Sequence, residues 1–242
     1  MTENEHHWIT LHRVRFPNPI SALEKSFDRP AGPEVWRFCP ELHVGNDGMP
    51  TFNSATWCGL ALHHSRDHAE ELFENAARYL PFGSDTVEQW HGLFMPIAHR
   101  GTTNWSGTLQ EGTVWPSPEK ISGPIAIFTT AHFLSRAPDQ VPRISHFMRG
   151  IQHVVEIYRR LPGNVCGSIF SGGFDGRDGF TFTLWQNEKT MYAAAYGEGT
   201  HRTYVDQNSR EPMVDHTSFT RARLLASHGT WEGQSLQERA TA

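Results

Sequence analysis

A histidine held where a helix breaks is a candidate metal ligand, and this chain carries one at His201. The approach to it runs through Thr181-Phe182-Thr183-Leu184-Trp185, a helical stretch ending at Tyr196, and then Gly197-Glu198-Gly199-Thr200-His201-Arg202. Gly197 and Gly199 weaken the helix, so His201 falls where the chain changes direction. A lone imidazole so placed can ligate a haem iron. Trp185, Tyr192 and Tyr196 would suit a flat macrocycle. An ordinary surface histidine satisfies the same pattern, and the pattern alone does not choose between them.

Other constellations read more plainly. His64 and His68 lie four apart at a helix start, next to His63, and could share a face around a metal. The His-Glu-x-x-His pattern is absent and the sequence offers no evident third ligand, so solvated or capping histidines are expected. Cys166 sits in a strand between Val165 and Gly167 with nothing basic beside it, which predicts a buried structural thiol. Gly172-Gly173-Phe174-Asp175-Gly176 is glycine-rich but leads to a strand and lacks the Lys-Ser/Thr ending of a phosphate loop, so a hairpin turn is expected. A Gly-x-Ser-x-Gly nucleophile elbow is absent.

Composition narrows the function classes. With 15 His and 8 Trp in 242 residues, the chain is rich in metal ligands and in residues that line apolar pockets. The net charge of -5 and the lack of any long Lys/Arg run argue against a nucleic-acid partner. The longest apolar stretches, Pro124–Phe128 and Thr181–Trp185, are too short to span a bilayer. The start, Met1-Thr2-Glu3-Asn4-Glu5-His6-His7, has neither the basic nor the apolar region of a secretory signal. Three scattered cysteines, Cys39, Cys58 and Cys166, fit a reducing compartment, so a cytoplasmic location is expected.

The elements that must position these residues repeat. Strands are expected at His7–Phe16, Val35–Phe38, Thr56–His63 and Trp90–Ala98. Ile20, Leu23 and Phe27 suggest a short helix, and Asp67–Tyr79 an amphipathic one capped by Ser65 or Asp67. A turn-rich segment from Gly101 to Gly123 follows. Strands then recur at Ile125–Leu134, Cys166–Phe170, Phe180–Trp185 and Phe219–Ala226, with helices at Val141–Leu161 and from Glu188. Each half reads β-α-β-β-α-β, the ferredoxin-like order. The expected fold class is therefore α+β: two fused ferredoxin-like units, residues 1–100 and 124–242, joined by a loop at 101–123. Such units form an α/β barrel like the dimeric kind, whose interior is expected to offer a ligand cavity.

The C-terminal third resembles the bacterial spheroidene monooxygenases and their relatives. The resemblance rests on Phe180–Trp185, the helix around Met191–Tyr196, the His201 segment, Phe219-Thr220-Arg221-Ala222-Arg223 and Gly229-Thr230-Trp231-Glu232-Gly233. Val35–Cys39, Ile97-Ala98-His99-Arg100-Gly101, Trp105-Ser106-Gly107 and Gly123-Pro124-Ile125-Ala126 extend it over most of the chain.

The resemblance implies a b-type haem with His201 as its proximal iron ligand, and oxygen insertion into an apolar substrate. Arg100 is the distal candidate, because its segment follows a strand and enters the variable loop, and Trp105 and Trp185 are candidate walls beside Tyr196; a structural Arg and ordinary core packing account for them as well. Electrons would come from an external donor, since the sequence shows no flavin or iron–sulfur motif. The family's substrate is a carotenoid. The polar N-terminal extension, the loop Thr102–Ile121 and the segment holding Asp206, Asn208, Ser209, Arg210 and Glu211 depart from the family pattern. They point to another small-molecule substrate, small or apolar, of specialised metabolism.

Three further readings stay open. The aldoxime dehydratases, which do redox-neutral haem chemistry, share a paired ferredoxin-like fold. The chain could also be a non-catalytic haem carrier or sensor, or a cofactor-free small-molecule binder. Assembly as a homo-oligomer is open as well.

Overall fold

The first strand, β1 (Trp8–Arg15), is buried along seven of its eight residues. Ile9 and Leu11 enter a central cluster, while Trp8 and Val14 pack in separate clusters on the opposite side. A strand buried on both faces belongs to a sheet covered on both sides, and the rest of the chain builds that sheet. The computed structural model describes residues 6–20, 32–79, 85–101, 113–116, 122–172, 177–197, 203, 204, 206, 210 and 212–236.

Seven more strands follow: β2 (Val35–Val44), β3 (Pro50–His63), β4 (Glu88–Gly101), β5 (Ile125–His132), β6 (Asn164–Ser171), β7 (Asp178–Trp185) and β8 (His216–Gly229). Helices α1 (Arg66–Glu74) and α2 (Ala76–Tyr79) precede β4; α3 (Val141–Arg160) precedes β6; α4 (Glu188–Tyr196) follows β7. Every expected strand is present, and β3, β4 and β8 each reach 14 residues, longer than their apolar patterns. The added ends carry half-exposed polar residues, such as Thr51 and Asn53, where alternation fades. The expected helix Asp67–Tyr79 is split, because Asn75 leaves helical geometry (φ -114, ψ 29). Ser65 is its cap, accepting the His68 N–H. The suggested helix around Leu23 and Phe27 lies outside the described residues.

All eight strands pair antiparallel in a closed barrel, in the order β1-β3-β2-β6-β7-β5-β8-β4. Within each half the spatial order is the same: β4-β1-β3-β2 and β8-β5-β7-β6. The halves meet at two unequal seams. One runs from Trp90↔Gly229 to Gly101↔Ser218; the other rests on the single pair Glu41↔Phe170. Gly101 ends the long seam at φ +118, where a Cβ would lie 2.3 Å from the Thr217 carbonyl, so only glycine fits.

The barrel interior is filled, which corrects the expectation of an internal ligand cavity. Trp90 on β4 reaches Phe182 on β7 across the barrel (5.9 Å between ring centroids), and Phe94 does the same at 5.9 Å. Phe128 and Trp231 close on the same group, 5.3 and 5.7 Å from Phe182. Gly92 makes room for this cluster, since a Cβ there would meet the Trp90 and Phe94 rings at 2.6 and 2.8 Å. Arg13 covers Trp231, its guanidinium 4.6 Å from the ring centroid, and pairs with buried Glu88 at 2.9 Å. Burial pushes the Glu88 carboxyl up, but the Gly233 N–H and Arg13 outweigh it and hold the group below its usual range.

Helices lie outside the barrel. The α3 stripe read from the sequence packs as expected, with Ile144, Met148, Val154 and Val155 buried. Among the described residues no helix is long and apolar enough to cross a membrane.

Phe182 holds the interior together, so Phe182→Ala is expected to cost about 3–5 kcal/mol in urea unfolding with little change in m-value. A loss below about 1 kcal/mol would show that the interior does not depend on this ring.

Candidate functional site

A barrel with a filled interior leaves room for a ligand only between the sheet's outer face and its helices. In the second half that space is a cleft of about 310 Å³. Its floor is the outward side of four strands: Ala98 and Arg100 on β4, Ile127 and Thr129 on β5, Thr181, Thr183 and Trp185 on β7, Phe219 and Arg221 on β8. Its other wall is Ile151, Val154, Val155 and Tyr158 of α3 with Met191, Tyr192, Ala195 and Tyr196 of α4. Helix α4 explains the gap. Asn187 caps it by accepting the Thr190 N–H at 3.0 Å, but Met191 is its only buried residue, so it covers the sheet thinly.

The floor is apolar and ordered. Trp185 is 1% exposed and donates its indole N–H to Thr183 Oγ1 at 3.1 Å. Tyr158 packs edge-on against it at 5.1 Å. Burial raises the Tyr158 phenol well above its ordinary value, so it stays protonated. Burial lowers His99, whose Nδ1 lies 2.8 Å from Thr220 Oγ1.

The rim carries the charge. Arg221 pairs with Glu188 at 3.0 Å and donates to the Tyr192 hydroxyl. Arg100 is exposed beside Phe219, its guanidinium 5.9 Å from the ring centroid, with no ion-pair partner among the described residues. Tyr196, 67% exposed, leans on Tyr192 at 5.6 Å.

Three of the residues singled out from sequence, Arg100, Trp185 and Tyr196, thus line one cleft although they are distant in the chain. The other two, His201 and Trp105, lie outside the described residues. The described chain on either side of His201 does touch this region. Tyr196 lines the cleft, and the Tyr204 ring packs so closely on Gly150 that a Cβ there would sit 2.7 Å away, one residue before Ile151 of the cleft wall. Sequence reasoning missed Arg221, Tyr158 and His99. Only the outward phase of β8 signalled Arg221, and that phase needs the barrel to be known.

A second apolar pocket of about 150 Å³ continues along α3, between Phe52, Phe133 and Met148, and shares Thr129, Ile151 and Thr181 with the first.

The remaining candidates resolve as follows. Cys166 is buried and free, as expected, and so are Cys39 and Cys58. Strands β6 and β7 pair antiparallel on either side of the glycine-rich segment, and Gly172 N–H bonds to Asp178 O at 2.7 Å, as a hairpin requires. His63 is not solvated, which corrects that expectation. It is fully buried with Nε2 3.2 Å from Thr10 Oγ1. It belongs to a histidine layer on the outer face of the first half. There His12 and His91 share a hydrogen bond (Nδ1 to Nδ1, 2.8 Å), and His228 lies 4.7 Å from the His91 ring. His64 is exposed and pairs with Glu34 at 2.8 Å.

No family model matches this chain. It is similar to the spheroidene monooxygenase of Rhodobacter capsulatus, 24% identical over 198 residues, which cover 79% of this chain and 76% of that protein. Among solved structures it is similar to an aldoxime dehydratase in complex with butyraldoxime, with a TM-score of 0.59, 9% identity, and coverage of 93% of this chain and 81% of that one. A second aldoxime dehydratase structure superposes with a TM-score of 0.57 at 10% identity, covering 90% and 81%. At such low identity these two likenesses show the fold.

The histidine layer makes stability depend on pH. Burial lowers His12 well below its ordinary value and takes His63 and His91 down to about 3. An unfolded chain takes up protons on these rings near pH 6.5, and the folded chain refuses them. Stability is therefore full above about pH 6.5 and falls towards pH 3, by about 1.4 kcal/mol per pH unit for each ring. These three rings are expected to add about three protons to the uptake on urea unfolding at pH 5 compared with pH 8, and His91→Gln to remove about one of them. A midpoint that is flat between pH 7 and 5 contradicts this.

Proposed function

We propose that the chain is a haem-dependent monooxygenase-like enzyme acting on a small or apolar organic substrate, with the cleft between α3, α4 and the sheet as its active site. The observation that carries this reading is the convergence of Arg100, Trp185 and Tyr196 on that one cleft. The likeness to spheroidene monooxygenase supports the reaction class, and an aldoxime dehydratase in complex with butyraldoxime shares the fold. In this reading the barrel is two fused ferredoxin-like units, residues 1–100 and 124–242, joined by 101–123. The repeated strand order supports that. Three buried, free cysteines suit a reducing cytoplasm.

The cleft fits a b-type haem by the chemistry of its lining. Ile127, Val154, Met191 and Trp185 offer an apolar surface for a macrocycle, and Arg221 at the rim would hold its carboxylates. His201 is the proximal ligand in this reading, supported by the described chain that leaves the cleft at Tyr196 and returns beside Gly150 at Tyr204. Trp105 is a candidate for the pocket wall in this reading. The haem would supply an iron at which dioxygen is reduced by two electrons from an external donor, one oxygen atom entering the substrate and the other leaving as water.

The chain's own residues then divide the work. Arg100 donates hydrogen bonds on the distal side, because Arg221 is already held by Glu188 and Tyr192. Trp185 and Tyr158 keep the floor dry and fixed. The pocket along α3 extends the apolar surface available to a substrate.

Protein purified with haem supplied is expected to show a Soret band that is lost or shifted in His201→Ala. Absence of the band in the wild type sinks the haem reading, and an unchanged band in His201→Ala removes His201 as ligand. Arg100→Ala is expected to keep the band and lose about a hundredfold in donor- and oxygen-dependent turnover. Dehydration of an aldoxime without donor or oxygen would place the chain with the redox-neutral enzymes instead.

A further inference from the structure

The end of the barrel where β3 finishes gathers ligands from three segments. β3 lies between β1 and β2, and the last pairs at this end are Trp8↔His63 and Val35↔Leu62. One step beyond them stand His7, His64 and Glu34. Glu34 Oε2 is 3.0 Å from His7 Nε2 and 2.8 Å from His64 Nε2, and all three donor atoms lie within 4.8 Å of one another.

We propose that His7, Glu34 and His64 bind one divalent cation of the zinc class. A tetrahedral ion with bonds of about 2.0–2.1 Å keeps its ligand atoms about 3.3 Å apart, close to the 3.0 and 2.8 Å that separate Glu34 from the two rings. Two imidazoles and one carboxylate suit zinc, cobalt or nickel, and lack the oxygen ligands that calcium and magnesium need. Burial lowers His7 below its ordinary value, so the ring is neutral near pH 7 and has a lone pair to give.

Two Nε2 atoms converge on one carboxylate oxygen, and His7 Nδ1 is buried with no hydrogen-bond partner. A cation takes the shared carboxylate and both Nε2 lone pairs. It also leaves the remaining His7 proton on Nδ1.

The ligands are also held in advance. His7 N–H bonds to Thr113 O at 3.1 Å, the Trp115 indole donates to His7 O at 3.0 Å, and Glu34 N–H bonds to Leu62 O at 2.8 Å. His64, 56% exposed, leaves the ion an entry path and an open position for water. The site is separate from the haem cleft, and none of its three residues lines that cleft.

The test uses the full chain stripped with chelator and Zn²⁺ as the probe, followed by calorimetric titration and thermal melting. One equivalent is expected to bind tightly and raise the melting temperature, with Mg²⁺ inert and the haem spectrum unchanged. Both His64→Ala and Glu34→Gln are expected to lower the affinity by at least about tenfold. His153→Ala, exposed on α3, is expected to leave it unaltered. Wild-type affinity in the two ligand variants, or no binding to the wild type, overturns the proposal, whatever the haem experiments give.

Discussion

Closing an antiparallel sheet on itself forces one set of side chains inward, and here that set is aromatic and drawn from both halves. Trp90 and Phe94 of the first half meet Phe128 and Phe182 of the second across the axis. Trp231, from the segment after β8, seals the group. The rest of the molecule depends on this contact. It supplies burial at the centre where the second seam has only one strand pair. It also excludes ligands from the inside, so a site for a large ligand must form on the outer face, where the helices decide how much sheet stays open.

The two outer faces reach opposite outcomes from the same strand order. In the first half, Ala69 and Phe73 of α1 and Ala76 of α2 press onto the sheet, and the layer beneath is filled by Trp57, His12, His63 and His91. In the second half, α4 buries only Met191 and is tied to β8 at the rim by Glu188 and Tyr192 through Arg221, so it covers the sheet thinly. The open side is lined by valine, isoleucine, threonine and tryptophan with arginine at the rim, which can hold a large apolar group with an anionic edge. The closed side holds imidazoles forced to stay neutral.

The strands and the long helix were legible because alternation and 3.6-residue periodicity survive without tertiary context. Val141–Arg160 shows its stripe in the sequence as clearly as in the packing. The site was legible only in part. Trp185 and Tyr196 came from the segment leading to His201 and Arg100 from a family resemblance, and nothing in the spacing says that Arg100 meets the other two. The cavity was assigned to the wrong side of the sheet, because a strand with two apolar faces, such as β1, does not reveal which face closes. His63 looked solvated because its neighbours His64 and Ser65 are polar. Its burial comes from β1, through Thr10, more than fifty positions earlier in the chain. The His7, Glu34 and His64 trio was invisible for the same reason: strand order makes neighbours of residues with no sequence motif in common.

Trp115 physically joins the two places where chemistry is proposed. Its indole donates to the His7 carbonyl, its ring stacks on His6 at 4.5 Å, and its edge meets Trp8 at 4.9 Å. Its own backbone N–H is held by Pro96 O at 2.7 Å on β4, two residues before cleft-lining Ala98. The same side chain packs against the cluster of Ile97, Ile125, Trp185 and Met191, two of which line the cleft. A tryptophan fixed at both its backbone and its indole has little room to change rotamer without breaking a buried hydrogen bond. It therefore acts as a rigid wedge: it holds the first residues of β1 in place for the ligand trio and supports the apolar floor beside it. Two sites on different faces can then share one support without sharing a ligand.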